Sequence, residues 1–166
     1  TCGTNLTWEL TSMGELIIKG KGDMNNFMDY NTPWFDYRTS IEKISIGEGV
    51  TSIGNWAFYN CNNIESIDLS KDLTHIGNYA FRNCALISAI SLPEKLSSIG
   101  DGAFDGCSGL TSVTIPNSVT SIGYGAFLSC SGLTSVTIGS GVKTIGSKIF
   151  DNCQKLLDVY CLAEKV

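Results

Sequence analysis

Residues 96–118 read LSSIGDGAFDGCSGLTSVTIPNS, and residues 119–141, directly after them, read VTSIGYGAFLSCSGLTSVTIGSG. The two stretches are one 23-residue unit written twice. Working outward, the unit recurs without insertion from Val50, Leu73, Leu96, Val119 and Val142, giving full copies over 50–72, 73–95, 96–118, 119–141 and 142–164. A partial copy over 41–49, with Ile41, Ile44 and Ile46, precedes them. Self-similarity at a short fixed period marks a solenoid: one unit cannot bury its own apolar face, whereas stacked units bury a continuous core.

The register holds column by column. Ile53, Ile76, Ile99, Ile122 and Ile145 align, and each is followed by glycine. Phe58, Phe81, Phe104, Phe127 and Phe150 align, and Phe35 extends that column one period upstream. Cys61, Cys84, Cys107, Cys130 and Cys153 form a third column. In Ser112-Val113-Thr114-Ile115 apolar and polar residues alternate, the pattern of a strand with one face buried. Val119 and Ile122 mark a second short extended piece across the coil. The Ile-Gly pair makes a corner where glycine supplies either a positive φ or room for close backbone approach. In Ala-Phe-x-x-Cys the spacing lets all three apolar side chains share the inner face of a single helical turn. Each coil is therefore expected to run strand, corner, short strand, helical turn. The fold class that follows is a repeat solenoid, mostly β, with short helical turns.

Composition narrows the function. In 166 residues, 11 Lys and Arg stand against 16 Asp and Glu, a net charge of −5. That excludes the basic face of a nucleic-acid binder and a polybasic anchor for anionic lipid. No apolar run reaches the ~18–20 residues needed to span a bilayer, so no membrane insertion is expected in this segment. Hydrophobic residues at 43% exclude wholesale disorder.

The pattern I/V-G-x-x-A-F-x-x-C-x-x-L-x-x-V/I-x-I/L-P over Val50 to Glu164 resembles the BspA-like leucine-rich repeats of bacterial surface proteins. The stretch from Thr1 to Ile46, with TCGTNLTWEL, ELIIKGKGDM and PWFDYRTSIEKISI, is also similar to the N-terminal part of that family. The last copy departs from the pattern with Ile149 in the Ala column, Cys161 in place of the strand Leu and Leu162 in place of Pro. The resemblance implies a right-handed leucine-rich-repeat superhelix, secretion or cell-surface display, no enzymatic reaction, and adhesion to a protein ligand such as a host extracellular-matrix protein. It also implies a natural chain that continues past Val166.

Residues 1–40 are expected to cap the open end of the solenoid, which would otherwise expose core and unpaired strand edges. Leu6 to Leu10 and Glu15 to Lys19 read as a hairpin about Thr11-Ser12-Met13-Gly14, with Trp8 and Ile17 facing the first coil. Residues 41–166 form the repeats.

Candidate sites follow from the columns. Outward strand positions make two rows: Lys43, Ser66, Ala89, Ser112, Ser135, Asp158, and Ser45, Asp68, Ser91, Thr114, Thr137, Tyr160. Continuous surfaces of this kind are where repeat proteins take partners. Ser66, Asp68, Ser91, Ser112, Thr114, Ser135, Thr137 and Tyr160 are the binding candidates there, against the plain alternative of a solvated sheet face. Trp56 and Tyr79 share another column and form either an exposed aromatic ridge or packing under the cap. The cysteines are too far apart in sequence for a zinc motif and read as small buried fillers with inert thiols. Cys153 and Cys161, both inward in one coil, are the nearest local pair, and Cys2 has no evident partner. His75 is the only histidine; its column otherwise holds Ser and Thr, which makes it solvated and separates it from Cys84. No catalytic, metal or cofactor constellation is present in the sequence. Two functions remain: an adhesion module binding protein through its strand face, or a spacer segment of a larger surface protein.

Overall fold

The computed structural model of the chain describes residues 1–28 and 31–162. It is a β-solenoid of three-sided coils. Thirteen short strands run in order: β1 (Leu6–Leu10), β2 (Glu15–Gly20), β3 (Gly22–Asp23), β4 (Lys43–Ile46), β5 (Val50–Ile53), β6 (Ser66–Asp68), β7 (His75–Ile76), β8 (Ser98–Ile99), β9 (Ser112–Ile115), β10 (Ser121–Ile122), β11 (Ser135–Ile138), β12 (Thr144–Ile145) and β13 (Asp158–Cys161). One side of the coil carries the front strands β2, β4 and β6, then β9, β11 and β13. A second side carries β3, β5, β7, β8, β10 and β12 as one parallel sheet.

The repeat spacing fixes the register. Val113 pairs with Val136 and Val136 with Val159, while Ser112, Ser135 and Asp158 align on the opposite face. Burial alternates along β9, with Val113 and Ile115 inside and Ser112 and Thr114 outside. Hydroxyls stitch neighbouring coils together as well: Ser97 Oγ donates to the Thr74 carbonyl at 2.8 Å, and Thr134 Oγ1 to that of Thr111 at 3.0 Å.

The third side differs from the sequence expectation. Residues 54–61 and their equivalents form a run of turns in place of an α-helical turn. Their amides divide: Ala57, Tyr59 and Cys61 donate locally to Gly54, Trp56 and Phe58, whereas Trp56, Phe58 and Asn60 donate to Asn78, Ala80 and Arg82 of the next coil. A helix would use every amide internally. Here half of them tie one coil to the next, so the stack is hydrogen-bonded on all three sides. The geometry requires left-handed backbone at Trp56 and Asn60, with φ of 59° and 57°. The Ala, Phe and Cys side chains still point inward, since Ala57, Phe58 and Cys61 are all buried.

The phenylalanines stack face to face through the core. Phe58, Phe81, Phe104 and Phe127 are fully buried, with successive ring centroids 5.2, 5.4 and 5.2 Å apart. Burial of each contributes about 1.5–3 kcal/mol. The column does not pass to Phe35. That residue lies in a short 3-10 turn, Phe35–Tyr37, and is only half buried. Trp34 takes the position instead, fully buried, with its ring 5.5 Å from that of Phe58 and its Nε1 donating to the Ala57 carbonyl at 2.8 Å. Exact arithmetic fails here because the chain before Ile41 is not a full copy, so its register is set by what fills the core.

The N-terminal hairpin is as expected, with Leu6–Leu10 antiparallel to Glu15–Gly20. Its second strand joins the front sheet, pairing parallel with β4. Trp8 does pack on the core, edge-to-face against Trp34 at 6.0 Å. Ile17 does not: Leu16 and Ile18 are the buried residues of β2, and Ile17 stands across from Glu9 on the outer face. The Ile-Gly glycines serve close approach. A Cβ on Gly77 would lie 2.6 Å from the Asn55 amide nitrogen. The expected end of the last copy at Glu164 lies outside the described residues.

Candidate binding face

The outward rows are assembled as the repeat predicts. Lys43 pairs with Ser66 and Ser45 with Asp68; farther along, Thr114, Thr137 and Tyr160 align. All eight row candidates are exposed or half exposed. They do not form one uniform surface. At the N-terminal end the face is charged: Lys43 Nζ lies 3.3 Å from Glu15 and 3.0 Å from Asp68, and Ser45 Oγ donates to Glu15 at 2.6 Å. The Ser45 hydroxyl and the Lys43 ammonium hold the Glu15 carboxyl below its ordinary range. Toward the C-terminal end the face is Ser and Thr, finished by exposed Tyr160.

Between these halves the front sheet breaks. Residues 89–92 lie between β6 and β9 in the stack but pair with neither, so β6 and β9 are both sheet edges. No backbone hydrogen bond is made by the amides or carbonyls of Ala89, Ile90, Ser91 or Leu92. The cause is legible in the repeat. At the strand exit, Gly139 donates its amide to Ile115 and Leu162 donates to Ile138, both at 2.9 Å. The same position holds Pro93 and Pro116 in the two intervening copies, and proline has no N–H to donate. The rung at 89–92 thus loses this bond on both of its sides. Its side chains stay anchored, with Ile90 and Leu92 buried, while a cleft of about 340 Å³ opens, lined by Ala89 to Leu92, Glu94, Ser112 to Thr114 and Pro116. Of the row candidates, Ser91, Ser112 and Thr114 meet at this cleft. Ser66 and Asp68 lie on its N-terminal side, and Ser135, Thr137 and Tyr160 lie beyond it. Glu94 and Pro116 are cleft features that the row pattern alone passes over; the signal was Leu92-Pro93 followed one copy later by Ile115-Pro116.

Trp56 and Tyr79 lie on the third side, away from the cleft. Their rings stack at 4.4 Å, Tyr59 meets Trp56 edge-on at 4.9 Å, and both residues are half buried. Each sits at left-handed φ, 59° and 56°, a conformation that costs a non-glycine residue about 1–2 kcal/mol.

The remaining reactive groups are placed structurally. All seven cysteines are free. Cys84, Cys107, Cys130 and Cys153 each direct Sγ at the carbonyl of a phenylalanine in the preceding coil, at 3.1–3.2 Å. Burial pushes the Cys61 and Cys107 thiols up to about 12, so neither is a nucleophile at neutral pH. Cys161 is exposed, so the inward pairing expected with Cys153 does not occur; no described segment packs over β13 to enclose it. His75 is exposed, pairing with Ser52 and Ser98 in the second sheet, and its ring meets Thr74 Oγ1 at 2.7 Å. Cys84 is buried, so the two form no dyad. Among the described residues no group of His, Cys, Asp or Glu has the arrangement of a metal site, and no helix is long and apolar enough to cross a membrane.

A stack of short parallel rungs with one outward strand face defines a leucine-rich-repeat solenoid, a class that presents surface rather than an enclosed pocket. The chain belongs to the BspA-type leucine-rich repeat family, which matches residues 31–157 in six copies. Among solved structures, a leucine-rich repeat protein from Eubacterium ventriosum superposes with a TM-score of 0.85 at 26% identity, over 96% of this chain and 42% of its own. The leucine-rich repeat protein of T. pallidum does so with a TM-score of 0.76 at 32% identity, over 100% of this chain and 84% of its own. A leucine-rich cell surface protein of Faecalibacterium prausnitzii shares the fold at 21% identity, with a TM-score of 0.64 over 98% of this chain and 54% of its own. No curated protein matches. The chain is thus a leucine-rich repeat module of the BspA type, and it spans less than half the length of the E. ventriosum protein.

Proposed function

We propose that this chain is the partner-binding repeat region of a secreted or cell-surface protein, and that it takes an extended segment of a partner protein into the cleft between residues 89–92 and β9. The observation that carries this is the break in the front sheet, where peptide groups of Ala89 to Leu92 and the outer edge of β9 lack backbone partners beside a cleft of about 340 Å³. An unpaired strand edge offers main-chain hydrogen bonds to an extended peptide, with flanking side chains selecting among sequences. Ser91, Ser112 and Thr114 supply hydroxyls at the rim, and Glu94 adds a negative charge that favours a basic residue in the partner. A host extracellular-matrix protein is the proposed source of that segment, in keeping with adhesion. The surface role of the F. prausnitzii relative supports the location.

The test is capture of purified matrix proteins and their proteolytic peptides by the immobilised chain, with Thr114→Lys as the cleft-blocking variant and His75→Lys as a control on the opposite sheet. The reading requires binding that falls at least about tenfold in Thr114→Lys, a loss of about 1.4 kcal/mol, and holds in His75→Lys. Absence of any protein partner would favour the spacer reading, which draws on the continuous ring stack and the unbroken hydrogen bonding along the second and third sides.

A further inference from the structure

The aromatic column of the third side stops abruptly, and what it leaves is a second site. The column runs Trp56, Tyr79, Gly102, Gly125, Lys148, and every member has left-handed φ between 54° and 60°. Trp56 and Tyr79 stack at 4.4 Å. The next place in the stack has no side chain: the Tyr79 ring lies over Gly102, where a Cβ would stand 2.5 Å from it, and Gly125 beyond is open except for Leu128 at 3.4 Å. The vacated space is a cavity of about 160 Å³ lined by Tyr79, Arg82, Gly102, Asp105, Tyr124, Gly125 and Leu128. A cavity of about 150 Å³ accommodates one six-membered ring.

Its wall carries a charged pair. Arg82 Nε lies 3.0 Å from Asp105 Oδ2, with the Asp105 side chain 12% and the Arg82 side chain 37% exposed. The pair is imperfectly satisfied: Nε is buried and its 3.0 Å approach to the carboxylate lacks hydrogen-bond geometry, while the guanidinium carbon lies over the Tyr79 ring, 5.5 Å from its centre. Burial raises the Asp105 carboxyl above its ordinary range, with Arg82 opposing. The occupant must therefore offer an apolar face to Tyr79 and Leu128 and several hydroxyls to a carboxylate and a guanidinium. A phenyl side chain meets only the first demand and would bury the charged pair further from water, at a cost.

We propose that this cradle binds a single pyranose ring, stacked against Tyr79 in continuation of the Trp56–Tyr79 pair, with its hydroxyls donating to Asp105 and accepting from Arg82. The site is independent of the front cleft. Because the cavity seats one ring, a methyl pyranoside and an oligosaccharide ending in the same sugar should bind alike, whereas an oligosaccharide carrying it internally should not.

The experiment is an amide-shift titration of the chain with a panel of methyl hexopyranosides and their oligosaccharides, with N-acetyltyrosinamide as the aromatic probe. The expected result is saturable shifts at Tyr79, Arg82, Gly102 and Gly125 with at least one pyranoside, at millimolar affinity, a modest value suited to a ligand of so few atoms. Gly125→Tyr should abolish them by filling the cradle; its φ of +57° is one that Tyr79 already adopts in the same column. Asp105→Asn, which keeps the shape, should weaken binding by about tenfold. The proposal is overturned if no pyranoside gives saturable shifts at these residues, if the shifts persist in folded Gly125→Tyr, or if N-acetyltyrosinamide alone occupies the site.

Discussion

The Sγ of Cys107 lies 3.2 Å from the carbonyl oxygen of Phe81, in the coil before it. The cysteine column is thereby explained without redox or metal chemistry. The thiols of Cys84, Cys107, Cys130 and Cys153 fill small gaps beside the phenylalanine stack and give weak hydrogen bonds to phenylalanine carbonyls. Serine would supply the bond but is costlier to bury, and valine would fill the space without the bond. Cys107→Ala should therefore cost about 1–3 kcal/mol, the range for leaving a buried acceptor unpaired, measured by urea unfolding. The same placement orders the thiols by reactivity. In the native protein Cys161, exposed, should alkylate first, and Cys61, Cys84 and Cys107, buried with raised pKa, should react only on unfolding. Rapid native-state labelling of Cys107 would contradict the buried column.

Phe104 is held between Phe81 at 5.4 Å and Phe127 at 5.2 Å, nearly parallel to both. Phe104→Ala should lower stability by about 3–5 kcal/mol. Trp34→Phe at the N-terminal end of the stack should cost less, about 1–3 kcal/mol, since it keeps an aromatic ring in the stack but leaves the buried Ala57 carbonyl without its Nε1 donor. In a repeat array each coil is coupled mainly to its neighbours. The central substitution should accordingly broaden or split the denaturant transition, whereas Trp34→Phe should only shift it.

How far the sequence disclosed this architecture depends on what each residue does. Columns that recur every 23 residues and fill the interior, such as Ile122, Phe127 and Cys130, were legible because the period alone places them. The rows holding Ser112, Ser135 and Thr137 followed from strand alternation. Upstream of the strict 23-residue copies, Trp34 displaced Phe35 and Leu16 with Ile18 displaced Ile17, because the exact period stops there and does not fix the phase. The third side escaped for another reason: Ala-Phe-x-x-Cys spacing fits one helical turn and a run of turns equally well, and the tie is broken by amides that bond to the next coil. The asparagine ladder escaped too. Asn55 Oδ1 accepts from the Asn78 amide, Asn78 Oδ1 from Asp101 and Asp101 Oδ1 from Tyr124, at 2.7–2.8 Å, and the signal was Asn, Asn and Asp after the Ile-Gly pairs of the first three full copies.

The charged N-terminal half of the front face makes a prediction about acid. The Glu15 carboxyl is lowered by Ser45 and Lys43, and that of Asp72 by Lys95 at 2.6 Å and the Gly49 amide. A carboxylate with a lowered folded-state pKa contributes stability above its unfolded pKa and loses it as pH falls through the folded value. These contributions should be complete above their ordinary values of 4.5 and 3.8 and fade below them. Asp105 has the opposite sign: its raised carboxyl takes up a proton in the folded state first, so that site gains stability as pH falls. Urea midpoints measured against pH should show a shallower acid limb in Glu15→Gln and Asp72→Asn, and a steeper one in Asp105→Asn.

The break in the front sheet makes the sharpest prediction, because it is visible one amide at a time. Ala89, Ser91 and their neighbours have no backbone partners, whereas Val113 and Thr114 one coil later pair in register with Val136 and Thr137. Amide exchange at Ala89 to Leu92 should therefore be fast relative to the paired amides of β9 and β11, despite the burial of Ile90 and Leu92. Restoring a donor should reverse this. The Pro116 position is occupied in the next copy by Gly139, whose amide does donate to Ile115, so Pro116→Gly suits the backbone and supplies the missing N–H toward Leu92. The variant should gain protection at residue 116, slow exchange through residues 89–92, narrow the cleft, and lose affinity for any partner seated there. Its stability should rise by up to about 0.5–1.5 kcal/mol, the net worth of one hydrogen bond, less the rigidity that proline gave up in the unfolded chain. If the wild-type amides of Ala89 to Leu92 are as slow as those of Val113 and Val136, the rung is paired after all and the cleft is closed in solution.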